Sequence, residues 1–328
     1  MGAAMKRAAQ GEKRKLPRNI RLQQVHVCFL NMIFILPVIV PYYKDALGLG
    51  FREFMIGEAV FSASVVLMEI PTGWLSDLWT RKRAMVVGSA INVIGYALLW
   101  LADSFFMAVA AQAVIAVSTS LLSGTVSALV YDSLLEAGQE RDYRRLEGFR
   151  HGLGFYVLAA SSVAGGFLYA WSPRLTAFLS MATTLVSLGA ALLMTEPARH
   201  REPVHKNPFL DMARTMRYAL HGHIEIAGII LLSAVLFGAT KALLWTQQPY
   251  YLLLGLPAPL FGALTAAGFL MAGFGGHFSH RLDAKYGNLP VLGAFMAWAF
   301  FTCVVAGLFP GLYAVPLLLT GSLIYGMG

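Results

Sequence analysis

The chain has 328 residues, 57% of them hydrophobic and only 13% charged, against roughly 25% charged in an ordinary soluble domain. That balance excludes water as the main solvent. The two cysteines, Cys28 and Cys303, each lie inside an apolar run and exclude a disulfide framework or a CxxC metal or redox motif. The formal net charge of +8 falls in clusters separated by apolar stretches, which assigns it to membrane topology and not to nucleic acid.

A basic segment, residues 1–22, carries Lys6, Arg7, Lys13, Arg14, Lys15, Arg18 and Arg21 ahead of the first apolar run. No small-residue cleavage site follows that run, so it reads as a retained span and not as a signal peptide. A span needs about 20 apolar residues to cross the hydrocarbon. On that basis the sequence predicts spans near residues 25–43, 54–75, 84–102, 105–131, 153–171 and 175–194, then 226–254, 260–278, 291–309 and 312–327. The first six form an N-terminal bundle, residues 23–195; a basic cytoplasmic linker, 196–224, leads to a C-terminal bundle, 225–328. The fold class is therefore an all-α polytopic membrane protein with about ten transmembrane helices. The last run stops at Gly328 with no basic flank, which reads as a truncation.

Lys and Arg fall on alternate loops: the N-terminal cluster, Arg81 to Arg83, Arg141 to Arg150, Arg199 to Arg217, and Arg281 with Lys285. The opposite loops offer only Lys44, Arg52 and Arg174. The positive-inside rule then places the basic loops and the N-terminus in the cytoplasm.

After the second predicted span the sequence reads Gly73-Trp74-Leu75-Ser76-Asp77-Leu78-Trp79-Thr80-Arg81-Lys82-Arg83. Gly73 suits close helix approach, and Asp77 and Arg81, four apart, can pair. Lys82 and Arg83 read as ordinary loop charges. The stretch resembles the signature loop of the major facilitator superfamily, with a weaker echo at Gly276, His280, Arg281, Asp283 and Lys285. Ala128 to Ser133, and Thr195-Glu196-Pro197, are similar to the family's span endings. The resemblance implies a two-bundle fold of twelve helices, two of them absent from this chain, and a gate of Gly73, Asp77, Arg81 and Asp132. It also implies rocking of the bundles about a central site, driven by an ion gradient, with the proton favoured over sodium as coupling ion. Two positions depart from common family patterns: Gln112 stands near the place of an Arg found in many proton-coupled members, and the fifth span reads Ser161-Ser162-Val163-Ala164-Gly165-Gly166 where antiporters often have Gly-Pro-x-x-Gly-Gly.

A charge within the bilayer costs at least about 2.5–3.5 kcal/mol, so intramembrane ionisable residues are functional candidates. Lys241, with Gln247 and Gln248 behind it, suits an anionic group or an acidic partner, and Glu58 and Glu69 in the second span are candidates to carry a coupling proton. Asn31 in the first span is a polar candidate whose blander reading is a hydrogen bond between helices. Gly148 with Gly152, Ser162 with Gly166, and Ala272 with Gly276 have the four-residue spacing of close packing. Pro37, Pro41, Pro71 and Pro249 can bend helices.

Other classes fit less well. His200, His205, His221 and His223 match no zinc spacing, no Gly-rich phosphate loop is present, and no motif calls for a cofactor or metal. The expectation is a monomeric, non-enzymatic carrier of a small molecule in the inner membrane's lipid bilayer, without nucleic acid. An exporter of amphipathic compounds is slightly favoured, with an importer of a small metabolite or anion as the alternative and a channel or receptor as the other class.

Overall fold

The computed structural model describes residues 17–197 and 224–323; Asp77 and part of the stretch from 224 to 292 are described through the backbone alone. The four linker histidines and Gly328 lie outside the described residues, as do the side chains of the echo from Gly276 to Asp283.

The elements are α1 (Arg18–Leu30), a 3-10 turn (Leu36–Val38), α2 (Ile39–Leu47), α3 (Phe51–Leu78), α4 (Arg81–Leu101) and α5 (Phe105–Glu136). They continue with α6 (Tyr143–Trp171), α7 (Pro173–Leu193), α8 (Ile224–Leu253), α9 (Ala258–Tyr286), α10 (Asn288–Leu308) and α11 (Ala314–Gly321). Each predicted span meets one of these helices, and five of them, among the described residues, are long and apolar enough to cross a membrane. The main boundary change is at α6, which begins at Tyr143, so Arg144, Arg145 and Arg150 stand on a helix where the sequence reading had a loop.

The first span is broken. Pro37 and Pro41 lack an N–H and crowd the preceding turn, and Asn31 ends α1 by donating its side-chain amide to the Val27 carbonyl at 2.8 Å. Backbone groups freed inside a bilayer need protein partners, and distant helices supply them. Ser180 Oγ of α7 accepts from the Ile35 N–H at 3.2 Å, and Thr183 Oγ1 donates to the Met32 carbonyl at 3.0 Å. From α8, Gln248 Oε1 accepts the Val40 N–H at 3.0 Å while its Nε2 donates to the Leu36 carbonyl at 2.8 Å.

Helices α1 to α7 pack around one another, and α8 to α11 form a second group. The two groups meet chiefly along α6 and α9, and through α2 against α8. At the α6–α9 crossing a Cβ on Gly166 would lie 2.8 Å from the Ala258 carbonyl oxygen, and one on Gly262 would lie 3.0 Å from the Gly166 backbone. Glycine is what allows the two backbones this approach. Gly148 and Gly152, at the same spacing, have nothing within 4 Å of an added Cβ among the described residues, so no close packing of the expected kind is seen there.

Near the end away from the basic loops, Tyr42, Tyr43, Phe54, Trp245, Tyr251, Phe261 and Val315 join both groups in one buried cluster. Edge-to-face contacts of Phe54 with Tyr43 (5.3 Å) and with Trp245 (5.1 Å) tie α2, α3 and α8 together, an arrangement favoured by the ring quadrupoles.

Candidate functional site

Between the two groups lies a cavity of about 410 Å³ whose wall includes Asn31, Glu58, Phe61, Asn92, Tyr96, Gln112, Arg150, Lys241 and Trp245. Its ionisable centre is a pair drawn from opposite sides. Lys241 Nζ of α8 lies 3.9 Å from Glu58 Oε2 of α3, with side-chain exposures of 33% and 10%. The carboxylate is gripped: Gln112 Nε2 of α5 donates to Glu58 Oε1 at 3.1 Å. The cation is held loosely, with Nζ 5.3 Å from the Phe61 ring and 5.6 Å from the Trp245 ring, a placement that favours a positive charge.

Toward the basic end, Arg150 enters the cavity wall from α6. Its Nε donates to Glu147 Oε2 at 3.0 Å, and Ser127 Oγ donates to Glu147 Oε1 at 2.7 Å, so this cation is locally compensated. The sequence reading missed Glu147 and Arg150 as site residues. The available signal was an acid and a base three residues apart, next to an apolar run, which places them on one helix face.

The remaining candidates separate. Asn31 lines the cavity, although its amide is engaged by Val27. Asn92 also lines it, donating from Nδ2 to Ser118 Oγ at 3.1 Å while its buried Oδ1 has no partner among the described residues. Gln247 and Gln248 are buried but face elsewhere: Gln247 Nε2 donates to Ser322 Oγ at 3.3 Å, and Gln248 serves the broken first span. Glu69 is exposed on α3 and is not among the residues of the cavity wall.

At the basic end, Arg81 Nε lies 3.5 Å from Asp132 Oδ2, and Arg81 Nη1 donates to Ser76 Oγ at 3.3 Å. Arg81 opens α4, where Thr80 Oγ1 accepts the Arg83 N–H at 3.1 Å. A second cap comes from Glu196, whose two carboxylate oxygens accept the N–H groups of Arg81 (2.9 Å) and Lys82 (2.7 Å). A carboxylate there meets unpaired N–H groups and the positive end of the helix dipole. Asn19 fixes the neighbouring strand of chain, donating to the Thr195 carbonyl at 2.8 Å and to Ser133 Oγ at 3.0 Å. The side chain of Asp77 lies outside the description. Gly73 is exposed, and among the described residues nothing lies within 4 Å of an added Cβ.

A helical membrane protein with a polar, charge-bearing cavity between two bundles, and an ion-paired loop at one end, has the form of a solute transporter. Residues 25–328 match the Major Facilitator Superfamily, and the chain belongs to that family as a non-enzymatic, multi-pass membrane transporter. Among solved structures it is similar to a mutant of the nucleoside transporter NupG, with a TM-score of 0.77 at 14% identity, covering 94% of this chain and 79% of that one. It also resembles a bacterial homologue of the human lysosomal transporter Spinster in an inward-facing, unoccupied conformation, at TM-score 0.72 and 15% identity, covering 96% and 74%. A D-xylose–proton symporter gives 0.68 at 12% identity, covering 94% and 79%. A probable nitrate/nitrite antiporter from Thermus thermophilus is 33% identical over 137 residues, 39% of this chain but only 30% of that protein's length.

Proposed function

We propose that this protein is a proton-coupled secondary transporter that moves a small solute by alternating access, with Glu58 and Lys241 at its centre. The observation that carries the reading is the Glu58–Lys241 pair itself: an acid from α3 facing a base from α8 across the cavity, 3.9 Å apart. A buried pair of this kind is costly once either partner is removed. Protonation of Glu58 therefore changes how strongly the two helical groups hold together, which is the linkage that coupling requires. The basic end faces the cytoplasm on the positive-inside rule. With the aromatic cluster sealing the other end, the arrangement corresponds to a carrier closed to the outside, gated at the inner face by Asp77, Arg81 and Asp132.

A cavity of about 410 Å³ walled by Glu58, Lys241, Arg150 and side-chain amides favours a small polar or charged solute over a bulky amphipathic compound. It supports import by symport over drug export. The partial likeness to a nitrate/nitrite antiporter agrees in sign with the cavity's loosely held lysine.

The reading is tested by reconstituting the full chain in liposomes and following solute uptake under an acid-outside gradient. Wild type is expected to accumulate solute with the gradient. Glu58→Gln is expected to exchange solute across the membrane without responding to the gradient. Gradient-driven accumulation that survives in folded Glu58→Gln overturns the assignment of Glu58.

A further inference from the structure

The two partners of the central pair are held very differently, and that asymmetry bears on the solute. Glu58 is nearly buried and anchored by Gln112 Nε2 at 3.1 Å. Lys241 is 33% exposed, and its Nζ stands 3.9 Å from the carboxylate, beyond ordinary hydrogen-bond reach. Its Nζ also stands 5.3 Å from the Phe61 ring and 5.6 Å from the Trp245 ring, which tolerate a cation without neutralising it. The cavity's other cation, Arg150, is already engaged by Glu147 through Nε at 3.0 Å. The charge left open to a ligand is therefore positive, small and flanked by aromatic rings. Among the described residues, the groups around Glu58 that carry or could carry charge are Lys241 on α8, Tyr43 on α2 and Tyr96 on α4, and of these Lys241 offers the cation.

We infer, building on the carrier reading above, that the solute is a small organic anion whose carboxylate takes the place of Glu58 beside Lys241 when Glu58 accepts a proton. The charges balance. In the empty carrier, Glu58 carboxylate and Lys241 ammonium sum to zero. In the loaded carrier, neutral Glu58, Lys241 ammonium and the solute carboxylate again sum to zero. One proton and one monoanion cross together, and no net charge crosses the bilayer in either half of the cycle, which avoids the cost of carrying an unpaired charge through it. The rings of Phe61 and Trp245 beside the cation suit a solute with an apolar body.

The experiment uses the full chain in liposomes with labelled lactate and benzoate as carboxylates, nitrate as an inorganic anion, and uridine and xylose as neutral solutes. Uptake is driven by an acid-outside gradient, with and without a potassium diffusion potential. The expected result is uptake of a carboxylate that follows the pH gradient and ignores the potential. Lys241→Gln is expected to lower it about tenfold or more, and Lys241→Arg to restore part of it. Thermal stabilisation by the same carboxylate, present in wild type and lost in Lys241→Gln that remains monodisperse, supplies a readout that does not depend on transport. Uptake of uridine or xylose with no carboxylate moved overturns the anion assignment and leaves the carrier standing. Nitrate uptake alone overturns the organic class. A folded protein that moves none of the five overturns both readings.

Discussion

The side-chain amide of Gln248 occupies the gap between the Val40 N–H and the Leu36 carbonyl, accepting from one at 3.0 Å and donating to the other at 2.8 Å. Those two backbone groups are the pair that a continuous α-helix would join directly. A residue on α8 thus completes the hydrogen bonding of the first span and ties the two helical groups together at the end away from the basic loops. Gln248→Leu removes both bonds and leaves two buried backbone groups unmet, each at about 1–3 kcal/mol. The expected outcome is a lower melting temperature and faster amide exchange confined to residues 36–40, read by hydrogen exchange with mass spectrometry. Unchanged exchange in Gln248→Leu would mean that the break is held by its other contacts.

The helices were legible in the sequence because a bilayer demands long apolar runs, and the alternation of basic loops fixed their order. The intramembrane charges were legible singly, because each is costly where it stands. Their partners were not. Glu58 and Lys241 are far apart in the chain, and hydropathy says nothing about which face of α3 meets which face of α8. The same limit explains Glu69, which shares α3 with Glu58 yet is exposed. It also explains Gln248, which in the sequence is a candidate beside Lys241 and in the fold is a partner for backbone groups. Gln112, noted only as a departure from a family pattern, turns out to hold Glu58 in place.

Glu196 caps α4 with both carboxylate oxygens. Glu196→Ala should cost about 0.5–2 kcal/mol, in the range for loss of an N-cap side chain, and Glu196→Gln less, because one acceptor oxygen remains. The check is thermal unfolding of detergent-solubilised protein. A Glu196→Ala protein as stable as wild type would show that the cap is replaced by water.

The Arg81–Asp132 pair is mostly buried, at 15% and 18% side-chain exposure, so Asp132→Asn, which leaves the Arg81 charge without this carboxylate, should cost more than the roughly 0–1 kcal/mol of a surface pair. An effect is also expected on the balance between states, because the pair joins the start of α4 to the end of α5. In a background with Cys28→Ser and Cys303→Ser, Val126→Cys in the cavity wall reports access from the basic end. A membrane-impermeant thiol reagent should label it at a changed rate in Asp132→Asn. An identical rate in the two backgrounds would remove Asp132 from the gate.

The α6–α9 crossing offers the sharpest contrast, because the same four-residue spacing of small side chains is occupied at one place and empty at another. A Cβ on Gly262 would lie 3.0 Å from the Gly166 backbone and closer still to the Ser162 carbonyl. Backbone cannot rotate away as a side chain can, so Gly262→Ala must push the two helices apart. Overpacking of this kind costs about 1–3 kcal/mol, and because α6 and α9 form the main seam between the two helical groups, the shift should also perturb the cavity. Gly148→Ala and Gly152→Ala, whose added methyl groups meet nothing within 4 Å, should leave stability unchanged or raise it slightly, since alanine is the better helix former. Melting temperatures of the three variants in one detergent decide the matter. Equal destabilisation by all three would show that Gly148 and Gly152 are closely packed as well, and a loss confined to Gly262→Ala would locate the tight crossing at Gly166 and Gly262.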